Sequence, residues 1–322
     1  MRSVKALEYV KKRWFLFGLL LVCMITLIDE SETVASLGKW CKGQGGGNAV
    51  IFLIFFASGL ILNNEQISKG LGDLQGTALA LVLIFVIAPI VAYALNALPM
   101  DREARIGLFL VAVTPTTMTS GVVMTGAAGG NMAHALLITV LANGMSLLTI
   151  PLSLSVLLGI GGEGGAVSIE KGKMMVQIGF LVLVPLVIGM MLRPKRPGLV
   201  GRLRKGIPVF TQSMILAIVW MGLSGARAAV LSGGGRTFQV VVFAFLFHAL
   251  LLVVAFVLVK LLRIGVGRRE SVIFMGGQKT LPLSVLLQTT LFPEYGLALA
   301  FCVIHHFVHL MMDGYLVHRL GR

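Results

Sequence analysis

Lys279 has the most unusual setting in this sequence. It lies in the run Gly276, Gly277, Gln278, Lys279, Thr280, Leu281, Pro282, Leu283, Ser284, with apolar residues on either side. An ammonium there could attract an anionic solute, titrate as a proton site, or neutralise the carbonyl ends of a broken helix in place of a bound cation. A second run, Thr114, Pro115, Thr116, Thr117, Met118, Thr119, Ser120, Gly121, has the same make-up of one proline, hydroxyls and glycine inside an apolar block. Proline removes a backbone donor and clashes with the preceding turn, while Gly and β-branched Thr weaken the helix around it. Both runs are therefore expected to interrupt helices and to turn freed carbonyls, amides and hydroxyls toward a polar ligand or ion.

His305, His309 and Asp313 recur at i, i+4 spacing and share one helix face, with His306 beside them. Such a face could relay protons or hold a transition metal, and hydrogen bonding between helices is its structural alternative. No metal or organic cofactor is expected. His134 and His248 stand alone and read as packing residues. HExxH, GxSxG and paired intramembrane Asp residues are absent from the sequence, which argues against an enzyme. Cys23, Cys41 and Cys302 show neither paired nor metal-ligand spacing. The Gly-rich stretches at 43–47, 161–165 and 233–235 lack the GK[ST] ending of a phosphate-binding loop and read as connectors.

The elements that must position these groups are set by composition. With 57% hydrophobic and 12% charged residues over 322 positions, the chain has too little polar surface for a soluble globule. Its apolar blocks have the length of helices crossing about 30 Å of hydrocarbon. Ten spans are expected, at 14–28, 48–62, 77–98, 106–126, 132–159, 174–192, 208–223, 238–262, 269–290 and 296–317, with Trp14 and Trp220 as interfacial flanks of two short ones. The formal charge of +14 sits at the ends of apolar blocks, unaccompanied by an aromatic-rich basic module, so nucleic acid is not an expected partner. Most basic residues fall on the side of the N-terminus, the 193–205 loop and the C-terminus, which places both termini in the cytoplasm of a bacterial inner or a plasma membrane.

Ten spans divide into two sets of five, 1–160 and 161–322, and an odd number per set inserts the second upside down relative to the first. The matched interruptions in spans 4 and 9 are what an inverted repeat requires. In hydrocarbon such breaks are tolerated mainly where protein or a water-filled cavity lines them, so a cavity is expected at the place where the two cross.

Several stretches resemble the bile acid:sodium symporter superfamily, and within it the divergent branch typified by the seventh member of human solute carrier family 10. They are Phe55-Phe56-Ala57-Ser58-Gly59-Leu60, the TPTTMTSG run from Thr114, the GGN from Gly129, Val184-Pro185-Leu186-Val187-Ile188-Gly189 and GGQKTLPLS from Gly276. The resemblance covers nearly the whole chain. It implies an all-α polytopic membrane protein of ten helices in two inverted five-helix repeats, with a panel domain moving against a core domain in which broken helices 4 and 9 cross. In sodium-coupled members a Glu, a Gln four residues on and a following Asn contribute to cation binding. Here Gln278 matches the Gln, while Phe274 and Lys279 occupy the other two positions.

The expected function is secondary transport of a small anionic organic solute by alternating access. Thr114, Pro115, Thr116, Thr117, Ser120, Gln278, Lys279, Thr280, Pro282 and Ser284 form the expected substrate and ion site, and His305, His306, His309 and Asp313 the candidate proton relay. Exchanging a carboxylate for phenyl and adding an ammonium repels Na⁺, so the coupling ion stays open between Na⁺ and H⁺. A membrane regulator or scaffold affecting ion homeostasis, a proton-coupled carrier and a channel are the alternatives.

Overall fold

The first helix, α1 (Trp14–Ile28), leads into a bend of 108° and a second helix, α2 (Thr33–Gly43). The computed structural model describes residues 14–62, 72–161, 170–194 and 197–321, and these form helices with no strand among them. The basic residues up to Arg13, Lys69, Lys195, Arg196 and Arg322, and Gly-rich positions 162–165, lie outside the described residues. The remaining elements are α3 (Gly46–Ile61), α4 (Leu74–Leu95), α5 (Arg102–Val113), α6 (Ser120–Ala127), α7 (Met132–Ile160), α8 (Lys171–Met191), α9 (Pro197–Ser232), α10 (Gly235–Leu261), α11 (Arg269–Gly277), α12 (Leu281–Leu291) and α13 (Gly296–Leu320).

Among the described residues, six continuous helices are long and apolar enough to cross a membrane: α4, α7, α8, α9, α10 and α13. Their outward residues are large and apolar, as at Phe180, Met191, Phe238 and Leu261, each more than half exposed. A soluble protein does not present so continuous an apolar exterior, and lipid covers it here. The chain is a multi-pass membrane protein. Inside that shell, every residue from Ile106 to Thr117 and from Glu270 to Gln288 is buried. The interrupted segments are thus the centre of the molecule, wrapped by the long helices.

Two expectations need correction. The expected spans 14–28 and 48–62 leave no element between them, but the chain there forms α2, which lies against α9 where Trp220 Nε1 donates to the Val34 carbonyl at 3.2 Å. Trp220 therefore fastens two helices. The seventh span, expected over 208–223, belongs to the 36-residue α9. Its basic first turns, including Arg202 and Arg204, read as loop by polarity but are helical despite Gly201, Gly206 and Pro208, since charged residues can extend a helix beyond hydrocarbon.

Two local features matter for the centre. In α4, Leu83–Ile87 widen into a π turn, with the Ala88 amide donating to the Leu83 carbonyl. The next donor in that register is residue 89, a proline without an N–H, so the Ile84 carbonyl is left without a helical partner. Elsewhere α3 meets α8 through glycine: a Cβ on Gly189 would stand 2.2 Å from the Phe56 carbonyl, and one on Gly59 would stand 2.2 Å from that of Leu186. Small residues let membrane helices approach at backbone distance.

Candidate solute and ion site at the paired helix breaks

The first break follows from Pro115. A residue preceding proline is driven out of the helical region, and Thr114 is extended at φ −76°, ψ 151°, ending α5; the helix restarts as α6 at Ser120. In the second break Gln278 and Thr280 are extended, and Pro282 falls in the first turn of α12, where its missing N–H has no helical acceptor to lose. The two prolines thus act differently: Pro115 holds the unwound chain open and Pro282 starts the next helix. The breaks meet main chain to main chain, with the Thr280 N–H donating to the Pro115 carbonyl at 2.9 Å.

Lys279 fills the space between them. Its Nζ donates to the carbonyls of Ile84 at 2.8 Å, Ala112 at 2.9 Å and Thr114 at 3.0 Å. The last two sit at the C-terminal end of α5, where unpaired carbonyls carry partial negative charge, and the first is the carbonyl released by the π turn and Pro89. Three main-chain oxygens converging on one buried positive charge are the surroundings that hard cations take. An ammonium from the chain occupies them.

Gln278 joins the two breaks by side chains. Its Oε1 accepts from Thr117 Oγ1 at 2.7 Å and Ser120 Oγ at 3.0 Å, and its Nε2 donates to Asp313 Oδ2 at 2.7 Å. Ser284 Oγ donates to the Thr280 carbonyl at 2.9 Å and lies 3.3 Å from Thr114 Oγ1. Thr116 Oγ1 is buried without a partner.

Beyond Asp313 lies the histidine cluster. Asp313 Oδ1 is 3.0 Å from His248 Nε2, its Oδ2 is 3.9 Å from His309 Nδ1, and His309 Nε2 is 2.7 Å from His306 Nδ1. The His305 ring stacks on His309 at 5.6 Å and meets His248 edge-on at 5.7 Å. His248 was expected as an isolated packing residue and is a full member. Its distance in sequence hides it, since only the packing of α10 on α13 brings it in. His134 ties α7 to its neighbours through Thr77 at 3.0 Å and Ser271 at 2.6 Å.

A cavity of about 40 Å³ opens on this centre, with Thr117, Ser120, Thr280, Pro282 and His306 in its wall, joined by Ser58 and Thr211. It adjoins a wider one of about 290 Å³ that shares Ser58 and Thr119 and reaches Arg204. The site expected from sequence therefore divides. Thr117, Ser120, Thr280, Pro282 and His306 face the cavity, whereas Thr114, Pro115, Thr116, Gln278, Lys279 and Ser284 do not line it and form the buried knot behind. Thr211 was missed, having no motif around it; Ser58 lay within a motif and was not singled out.

Interrupted helices tied at their breaks inside an apolar-faced helical shell place free main-chain groups and hydroxyls in the buried centre of a membrane protein. Residues 13–322 match the SBF-like CPA transporter family, and the chain belongs to it. The resemblance seen in the motifs is thereby established. A protein of Oryza sativa subsp. indica named "Probable sodium/metabolite cotransporter BASS4, chloroplastic" is 29% identical over 284 residues, 83% of this chain and 66% of that protein. The Arabidopsis thaliana protein of the same name is 31% identical over 279 residues, 82% of this chain and 63% of its own length. "Sodium/bile acid cotransporter 7" of Xenopus tropicalis is 25% identical over 219 residues, 66% of this chain and 62% of that one. This chain thus spans just under two thirds of these relatives. The family and these proteins are transporters, not enzymes.

Proposed function

We propose that this protein is a secondary carrier for a small anionic organic solute, working by alternating access, with Lys279 as a built-in replacement for a coupling cation. The observation that carries the reading is the Lys279 ammonium held by three carbonyls at 2.8 to 3.0 Å. The solute meets Thr117, Ser120 and Thr280 in the cavity wall, and Lys279 compensates the carbonyl ends behind them. Anionic character is supported by the basic residues in the approaches: Arg204 in the wider cavity, and Lys42 in a separate one of about 190 Å³ that extends to Thr289 and Thr290.

In this reading the six long helices, α1, α3 and the two interrupted pairs make ten spans, arranged as inverted halves 1–160 and 161–322. Both termini lie in the cytoplasm of an inner or plasma membrane. The interrupted pairs belong to a core that moves against a panel. Sodium is part of the names of the rice, thale cress and frog relatives; here Phe274 and Lys279 stand where a sodium-coupled carrier needs a carboxylate and a neutral side chain.

Counterflow of labelled taurocholate and succinate in proteoliposomes tests this, in Na⁺ and in choline. Saturable exchange that is equal in both media and lost in Thr117→Val is expected. Exchange that requires Na⁺ would overturn the replacement of the cation by Lys279.

A further inference from the structure

We infer that His309, Asp313 and His248 form a proton-binding site that controls the tie between Asp313 and Gln278, making the proton the coupling ion; this rests on the carrier reading above. Asp313 is fully buried and its two oxygens are in different situations. Oδ1 is engaged by His248 Nε2. Oδ2 accepts from Gln278 Nε2 at 2.7 Å and also faces His309 Nδ1 at 3.9 Å, beyond hydrogen-bond reach. His248 Nδ1, His305 Nε2, His306 Nε2 and His309 Nδ1 are all buried without a partner. Buried polar atoms are nearly always satisfied, so four unpartnered nitrogens in one ring cluster, two of them on rings that face the Asp313 carboxylate, mark a group built to take a proton.

The entry point is His306, which lines the cavity and touches His309 at 2.7 Å. With the shared proton starting on His306 Nδ1, a proton gained at His306 Nε2 is balanced by transfer of the Nδ1 proton to His309 Nε2. His306 ends neutral and His309 ends as an imidazolium with N–H on both nitrogens, while the hydronium that supplies the proton is left as water. The His309 Nδ1–H then becomes a charge-assisted donor to Asp313 Oδ2, and it competes there with the neutral amide of Gln278. Because the other end of the Gln278 amide accepts from Thr117 and Ser120, loosening it at Asp313 releases the tie between α13 and the joined breaks. Occupancy by the proton and the conformation of the solute site are thereby linked.

The surrounding charges are few. His248 comes from α10, Lys279 from the second break acts on His305, and Cys302 lies one turn earlier on α13. From α11, Glu270 is engaged with Arg269 and the Gly267 amide; from α5, Glu103 caps the start of α13 at the Leu297 amide. Arg102 and Arg105 sit on that same first turn of α5, Arg227 of α9 is bound to Glu32, and His318 and Arg319 lie in the last turn of α13. The helices α6 and α12 carry no titratable side chain, and α1 brings Phe15 against His306.

The test is a titration of ¹⁵N-histidine protein in lipid nanodiscs between about pH 5 and 9, the range over which histidine responds. Single His→Asn variants assign the ring signals. His309 and His248 are expected to change together, and the shared transition is expected to vanish in Asp313→Asn. Rings that stay in one state throughout, untouched by Asp313→Asn, overturn the proton site. If Asp313→Asn does not fold, His309→Gln serves in its place, with loss of the His248 change expected and an unaltered His248 response overturning the site. In parallel, proteoliposomes with an imposed pH gradient and labelled succinate or taurocholate should accumulate the probe about tenfold per pH unit for one coupled proton. Exchange indifferent to the gradient overturns the coupling and leaves the carrier reading intact. Absence of exchange with titrating histidines overturns the carrier reading and leaves the proton site.

Discussion

The backbone N–H of Thr280 donates to the carbonyl of Pro115 at 2.9 Å, although the two residues belong to the interruptions of different helices. Each break leaves main-chain groups that a helix would otherwise satisfy, and in a buried, lipid-enclosed centre those groups need partners. Here they find them in one another, so the breaks form one unit and a change in either is felt at both.

Lys279→Ala is expected to lower stability by about 3 to 5 kcal/mol, because it leaves the carbonyls of Ile84, Ala112 and Thr114 buried without their common donor. Chemical or thermal unfolding in detergent reads the loss. The paired change Phe274→Glu with Lys279→Asn is expected to make stability depend on Na⁺. Equal stability of that folded variant in Na⁺ and K⁺ would count against Lys279 as a substitute cation.

Pro89→Ala supplies an amide that the Ile84 carbonyl can accept within α4. The cost of Lys279→Ala should then fall by about 1 kcal/mol, measurable as the coupling in a double-mutant cycle. Strict additivity would show that the π turn does not supply Lys279 with its ligand.

Gly189→Ala drives a Cβ to 2.2 Å from the Phe56 carbonyl, a contact that only separation of α3 from α8 can relieve. A loss of at least about 1 to 3 kcal/mol is expected, visible as reduced yield of monodisperse protein. Gly144→Ala is the control, since a Cβ there meets nothing within 4 Å in the middle of α7, and it should be neutral or stabilising by up to about 1 kcal/mol.

Asp73, outside the spans, caps α4 through the Gly76 amide and is paired with Arg268. Burial raises its carboxyl, but Arg268, the Gly76 amide and His134 outweigh that and hold it below the ordinary value. A depressed carboxyl adds stability that is complete above about pH 4, the unfolded value, and disappears as pH falls through the lower folded value. Arg268 is partly exposed, so the pair is worth about 1 kcal/mol or less. Unfolding midpoints followed down to about pH 3 should fall more steeply in the native protein than in Arg268→Gln; parallel curves would show the pair to be inert.

Sequence periodicity located the long helices α4, α7, α8, α10 and α13 to within a few residues, because a run of lipid-compatible side chains is a local property. The breaks were legible for the same reason, since Pro115 and the Gly276–Pro282 run act on their own backbone. α2 was missed because its anchorage comes from Trp220, far along the chain, and the basic start of α9 was misread because polarity was taken for a helix end.

The sequence by itself determined that this is a helical membrane protein with two interrupted segments, one of them carrying a lysine. Composition, block length and proline position act locally, whatever the packing. Only the tertiary structure decided what the lysine binds, that His248 joins the histidines of α13, and which half of the expected site faces a cavity. Those depend on residues far apart in the chain, 195 positions for Ile84 and Lys279, brought together by helix packing that no local pattern encodes.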